Sequence, residues 1–106
     1  MAKTDKEIVQ HDGSKGGTAT SFFVEETRGQ LAGFVVVMVQ ATPSARYVEA
    51  QGYLNNVLVC RACGADNYNG TISTPTGSFT MPVRFGDSWR VTGNVASAIT
   101  LTTIPT

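Results

Sequence analysis

At 106 residues the chain is one ordinary domain, and a domain of this size builds a core without obligatory staples. Only 15% of its residues are charged, against about 25% in an average soluble protein, and eight basic residues cancel eight acidic ones. That balance gives no electrostatic grip on nucleic acid or an anionic membrane, and it favours association with other copies of the chain.

The start, Met1-Ala2-Lys3-Thr4-Asp5-Lys6-Glu7, mixes both signs of charge and lacks the apolar stretch of a signal peptide. Synthesis in a cytoplasm is the expectation. Residues 1–10 read as a flexible N-terminal arm and residues 11–106 as a single β-sandwich domain, with 11–18 a turn or loop. Alternation of Ser21, Phe23 and Glu25 with Thr20, Phe22 and Val24 predicts a strand over Thr18–Glu25. Gln30–Ala41 is a near-continuous apolar run closed by Thr42-Pro43-Ser44, and such a run predicts a strand covered on both faces. Its apolar block, Leu31 to Val39, is too short to span a bilayer. Ala45–Gly52 and Tyr53–Ala62 read as two more strands, divided at Gly52 or at Asn55-Asn56. Arg46–Gln51 is the best place for a helical turn. Gly64–Gly70 reads as loop, with Asn69-Gly70 a turn signal. Thr71–Thr74 is a short strand stopped by Pro75. Ser78–Phe85 and Ser88–Thr92 flank Gly86-Asp87 as a hairpin, and Ala96–Ile104 alternates as a last strand. About seven to nine short strands without a capped helical period predict an all-β fold, an antiparallel β-sandwich of jelly-roll type.

Cys60-Arg61-Ala62-Cys63-Gly64 has the spelling of a zinc knuckle. A tetrahedral site needs four ligands, and beyond these two thiols the chain has a single histidine, His11, and no second cysteine pair. A redox dithiol wants a helix N-terminus, whereas loop residues follow Cys63. On a regular strand the two thiols face opposite ways. The plain reading puts Cys60 on the face of Leu58 as a small core residue. Cys63 then lies near the strand end, free or paired with another chain. No nucleophile elbow, phosphate loop or calcium-loop spacing is present, and Glu25-Glu26 points to opposite faces. The chain is therefore not expected to be an enzyme, and no cofactor or metal is expected.

Residues 77–93 carry the most information. Phe79, Met81, Val83 and Phe85 alternate on one face, Gly86-Asp87 signals a tight turn, and Trp89 and Val91 alternate on the return. This predicts a structural hairpin formed by Phe85, Gly86, Asp87 and Trp89, with Trp89 its largest buried piece. A binding role would instead place Trp89, Phe85, Arg84 and Arg90 at a contact surface.

The pattern Pro82-Val83-x-x-Gly86-Asp87-x-Trp89-x-Val91, after the strand Gly33 to Val39, resembles small all-β virion proteins of tailed phages, of head-decoration (cement) or fibre-knob type. It is more loosely similar to trimeric jelly rolls of the tumour-necrosis-factor type. The resemblance implies a compact jelly roll, a homotrimer, and a structural or attachment role without catalysis. It carries over no functional residues. No coiled or β-helical shaft accompanies the domain, which points to a free-standing virion protein over a fibre tip.

The expected function is therefore structural: a bacteriophage capsid decoration or cement protein, located in the virion and partnered by its own copies and the major capsid protein. Neither nucleic acid nor membrane is an expected partner. The alternative is a receptor- or carbohydrate-binding module, for which Asp66, Asn67, Tyr68 and Asn69 form a candidate binding surface, with Tyr53 and Asn55-Asn56 able to join it. The plainer account of those residues is turn geometry.

Overall fold

The fold is given by a computed structural model, which describes residues 21–66 and 73–106. Along these run β1 (Phe22–Glu26), β2 (Gly33–Gln40), β3 (Tyr47–Leu54), β4 (Val57–Asp66), β5 (Ser73–Thr74), β6 (Thr76–Val83), β7 (Trp89–Gly93), a 3₁₀ turn (Ala96–Ala98) and β8 (Ile99–Pro105). Every ladder is antiparallel, in a five-stranded sheet of order β1-β7-β3-β4-β5 and a three-stranded sheet of order β6-β2-β8. The two sheets share one core, so the chain is the all-β antiparallel sandwich that its sequence predicts. This strand order establishes a sandwich; the jelly-roll refinement goes beyond it. Among the described residues no helix is long and apolar enough to cross a membrane.

Alternation explains the core. β2 contributes Val35, Val37 and Val39, β6 contributes Phe79, Met81 and Val83, and β8 contributes Ile99 and Leu101. The larger sheet answers with Phe22, Val24, Val48, Ala50, Val91 and Trp89, the last being the bulkiest side chain in the core. Each of the larger apolar side chains stabilises the fold by about 1.5–3 kcal/mol through removal from water.

Several sequence expectations change here. Ser78–Phe85 and Ser88–Thr92 do not form a hairpin. β6 pairs with β2 while β7 lies between β1 and β3, so the Gly86-Asp87 turn carries the chain from one sheet to the other. Arg46–Gln51 is not helical, because its alternating Val48 and Ala50 are claimed by the core as part of β3. The helical turn falls at Ala96–Ala98 instead, which delays the last strand to Ile99. Gly64 to Asp66 is not loop but the end of β4, paired with β3 and β5. Finally, β2 is covered on one face only, and Phe34 and Met38 on its other face are exposed.

A second crossing between the sheets lies at Pro75, between β5 and β6. There the Ala41 N–H donates to the Pro75 carbonyl at 2.7 Å. Backbones approach so closely that a Cβ on Gly64 would sit 2.3 Å from the Pro75 oxygen, and one on Gly77 would sit 2.4 Å from the Cys63 oxygen. Only glycine fits at these two positions. Gly64→Ala should therefore cost about 1–3 kcal/mol, as overpacking against fixed backbone does. A urea midpoint unchanged from the parent would contradict this.

Candidate functional site

The turn at residues 84–87 is built by its own sequence. The Asp87 N–H donates to the Arg84 carbonyl at 2.9 Å, and Gly86 takes a φ of +100°, as the third position of a type II turn requires. Phe85, at the second position, leaves the strand pleat and is 72% exposed, so it does not continue the buried face of Phe79, Met81 and Val83. Asp87 itself is buried. One carboxylate oxygen accepts from the Asn55 amide at 3.0 Å, and the other accepts from the Arg84 backbone N–H at 3.0 Å. Asn55 reciprocates: its N–H donates to the Ser88 carbonyl at 2.8 Å, and its side-chain oxygen accepts from the Ser88 N–H at 3.0 Å. Asn55 and Asn56 both have positive φ, the mark of a type I′ hairpin turn between β3 and β4. Asp87 thus clasps the β3–β4 hairpin tip to the corner between the sheets. The hairpin held here is β3–β4, not the one that the sequence predicts at Phe85, Gly86, Asp87 and Trp89. Trp89 points into the core, and its indole N–H has no partner there; Oε1 of Glu26, its register neighbour, is likewise buried and unpaired.

At the centre of the outer face of the five-stranded sheet the polar side chains bond to one another, while Phe23 of β1 is exposed toward its edge. Tyr47 donates to Glu49 at 3.1 Å, and Glu49 pairs with Arg61. Tyr53 and Thr92 both donate to Gln51, and the Arg90 guanidinium lies 4.1 Å from the centre of the Tyr53 ring. Exposed pairs of this kind contribute little stability each. Cys63 sits on this face, 3.5 Å from the Tyr47 hydroxyl, and that contact is the main reason the Tyr47 phenol is raised above its usual pKa.

Cys60 faces the other way. Opposite the Gly52–Tyr53 step, Val59 is an extra residue in β4: Gly52 pairs with Cys60 but Tyr53 pairs with Leu58. The bulge breaks the alternation, so Cys60 does not share the face of Leu58. Leu58 is exposed, while Cys60 is half-buried against the core and burial pushes its thiol pKa up. Both thiols are free. Among the described residues no group of three or more His, Cys, Asp or Glu is placed to hold a metal, and His11 lies outside them.

The candidate sugar surface is only partly described. Asp66 ends β4, its N–H donating to the Arg46 carbonyl at 2.8 Å, while Asn67, Tyr68 and Asn69 lie outside the described residues. The residues that could join them are already engaged: Arg90 stacks on Tyr53 and donates to Asn56, and Asn55 holds Asp87. A shallow depression lined by Gln40, Thr42, Ser44, Ser97 and Thr100 offers hydroxyls and an amide but no titratable group.

Two apolar surfaces went unnoticed in the sequence. One surrounds the clasp, where Phe85 on one turn and Val57, Leu58 and Val59 beside the other are all exposed. The second is the outer face of the three-stranded sheet. Register sets Phe34 between Pro82 and Ile104, Val36 between Thr80 and Thr102, and Met38 between Ser78 and Thr100. No Asp, Glu, Lys or Arg occurs on β2, β6 or β8. The signal was present as the unbroken apolar run of β2, whose outward half is not taken into the core.

Two measurements check these assignments. Hydrogen bonds from Asn55 and from the Arg84 backbone hold the Asp87 carboxyl below its ordinary pKa. Its stabilising effect is therefore full above about pH 4, the ordinary aspartate value, and is lost as the pH falls through the lower folded value. Asp87→Asn should be less stable than the parent at pH 7, and the gap should close under acid; a gap independent of pH would rule the carboxylate charge out as the tie. In the native protein, alkylation should modify Cys63 quickly and Cys60 slowly, and equal rates would contradict the opposed faces.

No protein-family model matches this chain, and no curated protein matches it.

Proposed function

We propose that this chain is a structural protein of a bacteriophage particle, a capsid decoration or cement protein that assembles as a homotrimer and seats on the major capsid protein. The observation that carries this reading is the pair of exposed apolar surfaces, one of them a sheet face without a charged residue. Large exposed apolar groups mark protein contacts. A decoration protein needs two kinds of contact, one with its own copies and one with the particle, and two such surfaces suit that need. The outer face of the larger sheet supports the same view: at its centre the polar side chains bond to one another, which makes a solvated wall.

The test is location. Immunogold labelling with an antibody against this chain should decorate the surface of particles released by cells that carry the gene. Label confined to unassembled protein in the same lysate would overturn the reading.

A further inference from the structure

We infer that the core holds one internal water molecule at the end of the β1–β7 ladder, bound between the indole N–H of Trp89 and the carboxylate oxygen Oε1 of Glu26. This water completes the attachment of β1, an edge strand, to β7.

Position comes first. Phe22 and Val24 of β1 point into the core, and Glu26 is the next residue in that alternation. Glu26 stands opposite Trp89 in the register, so the two side chains share the inner face of the sheet. Cross-strand neighbours of this kind have Cβ atoms about 4.5–5.5 Å apart, close enough for long side chains to meet a common partner.

Both groups are also orphaned. Trp89 is only 5% exposed, and its Nε1 and Glu26 Oε1 are each shut off from solvent without a hydrogen-bond partner. The indole N–H can only donate, and a carboxylate oxygen accepts. Neither reaches the other, since a direct bond would have satisfied both. A cation would suit Glu26 but face the positive end of the indole N–H, and an anion would do the reverse. A water accepts from the first group and donates to the second, and buried waters are typically held by two to four such bonds. Two buried groups left unpaired cost more than immobilising one water does, so the occupied site is the more stable one.

The backbone encloses the place. The β1–β7 ladder ends at Glu26 and Trp89, yet the same register meets again farther on, where the Gly86 N–H donates to the Gly29 carbonyl at 2.8 Å. Between these points Thr27 and Arg28 stand opposite Ser88 and Asp87, which bond elsewhere: the Asp87 N–H goes to the Arg84 carbonyl and Ser88 pairs with Asn55. Among the described residues no ladder bond ties the strands across this gap. Beyond it, Gly29 lies so close to Gly86 that a Cβ on Gly29 would sit 2.8 Å from the Gly86 Cα. The opening in the ladder therefore adjoins the orphaned pair and is closed off by the two glycines.

The experiment is nuclear magnetic resonance on the full chain labelled with ¹⁵N-tryptophan. The chain has one tryptophan, so its indole signal is unambiguous. Cross-relaxation between the indole proton and water is read in the laboratory frame and in the rotating frame, for the parent and for Glu26→Leu. A water held for longer than the molecule takes to tumble gives cross-peaks of opposite sign in the two frames. The parent should show them. Glu26→Leu should lose them while the amide signals of β2 and β8 keep their parent positions, showing that the fold is intact. A parent without this pair of signals, or a folded Glu26→Leu protein that retains it, would overturn the inference. Should Glu26→Leu fail to fold, a crystal structure of the parent decides. One ordered water within hydrogen-bond distance of both atoms supports the site, and a direct Nε1–Oε1 contact or no ordered water there overturns it.

Discussion

The smaller sheet has three strands, and its middle one, β2, is apolar on both sides. A sandwich covers each sheet from within only. Val35, Val37 and Val39 enter the shared core and are fully buried, whereas Phe34, Val36 and Met38 lie on the far side, where Phe34 and Met38 are exposed. The core and the exposed stripe are thus two halves of one strand. Changing the register of β2 by a residue would exchange them, so the chain cannot hide the stripe without surrendering its core. The rest of the molecule is arranged around this strand: β6 and β8 flank it, and the five-stranded sheet is laid across its inner face.

The two outer faces consequently differ in kind. On the larger sheet Glu49 bonds with Arg61 and Gln51, and Arg90 stacks on Tyr53, which keeps this part of the face wet. On the smaller sheet there is no charge to be satisfied. Among the described residues, the charged groups lie on the larger sheet and the connecting segments.

How far the sequence reveals this depends on how local each signal is. Asn55-Asn56 and Gly86-Asp87 announce turns because their backbone angles are costly for other residues, and both turns stand where those residues predict. Which strands a turn joins is not a local property. Gly86-Asp87 looks like a hairpin and is a corner between sheets, because β2 and β3 compete successfully for the strands on either side. The same limit applies to Cys60. Period-two alternation puts it with Leu58, but a bulge set by pairing with Gly52 and Tyr53 moves it to the other face. Val48 and Ala50 fit a helical turn or a strand equally well until the core claims them. The apolar run of β2 reads as cover on both faces, yet the partner sheet covers one face and leaves Phe34 and Met38 on the other exposed.

The pairing of β2 also bears on how the protein is made. Its two neighbours are β6 and β8, and its ladder matches Gly33 with Val83 on one side and with Pro105 on the other. β1 likewise waits for β7, with Phe22 opposite Gly93. The β3–β4 hairpin is the one long ladder between consecutive strands among the described residues. During synthesis, therefore, the most apolar strand emerges before either of its neighbours, and its second ladder waits for β8. Topologies dominated by such distant pairings fold slowly. Over that interval the strand stands open to the β2 of other nascent copies, and a chain translated many times from one message must finish folding faster than its neighbours find it.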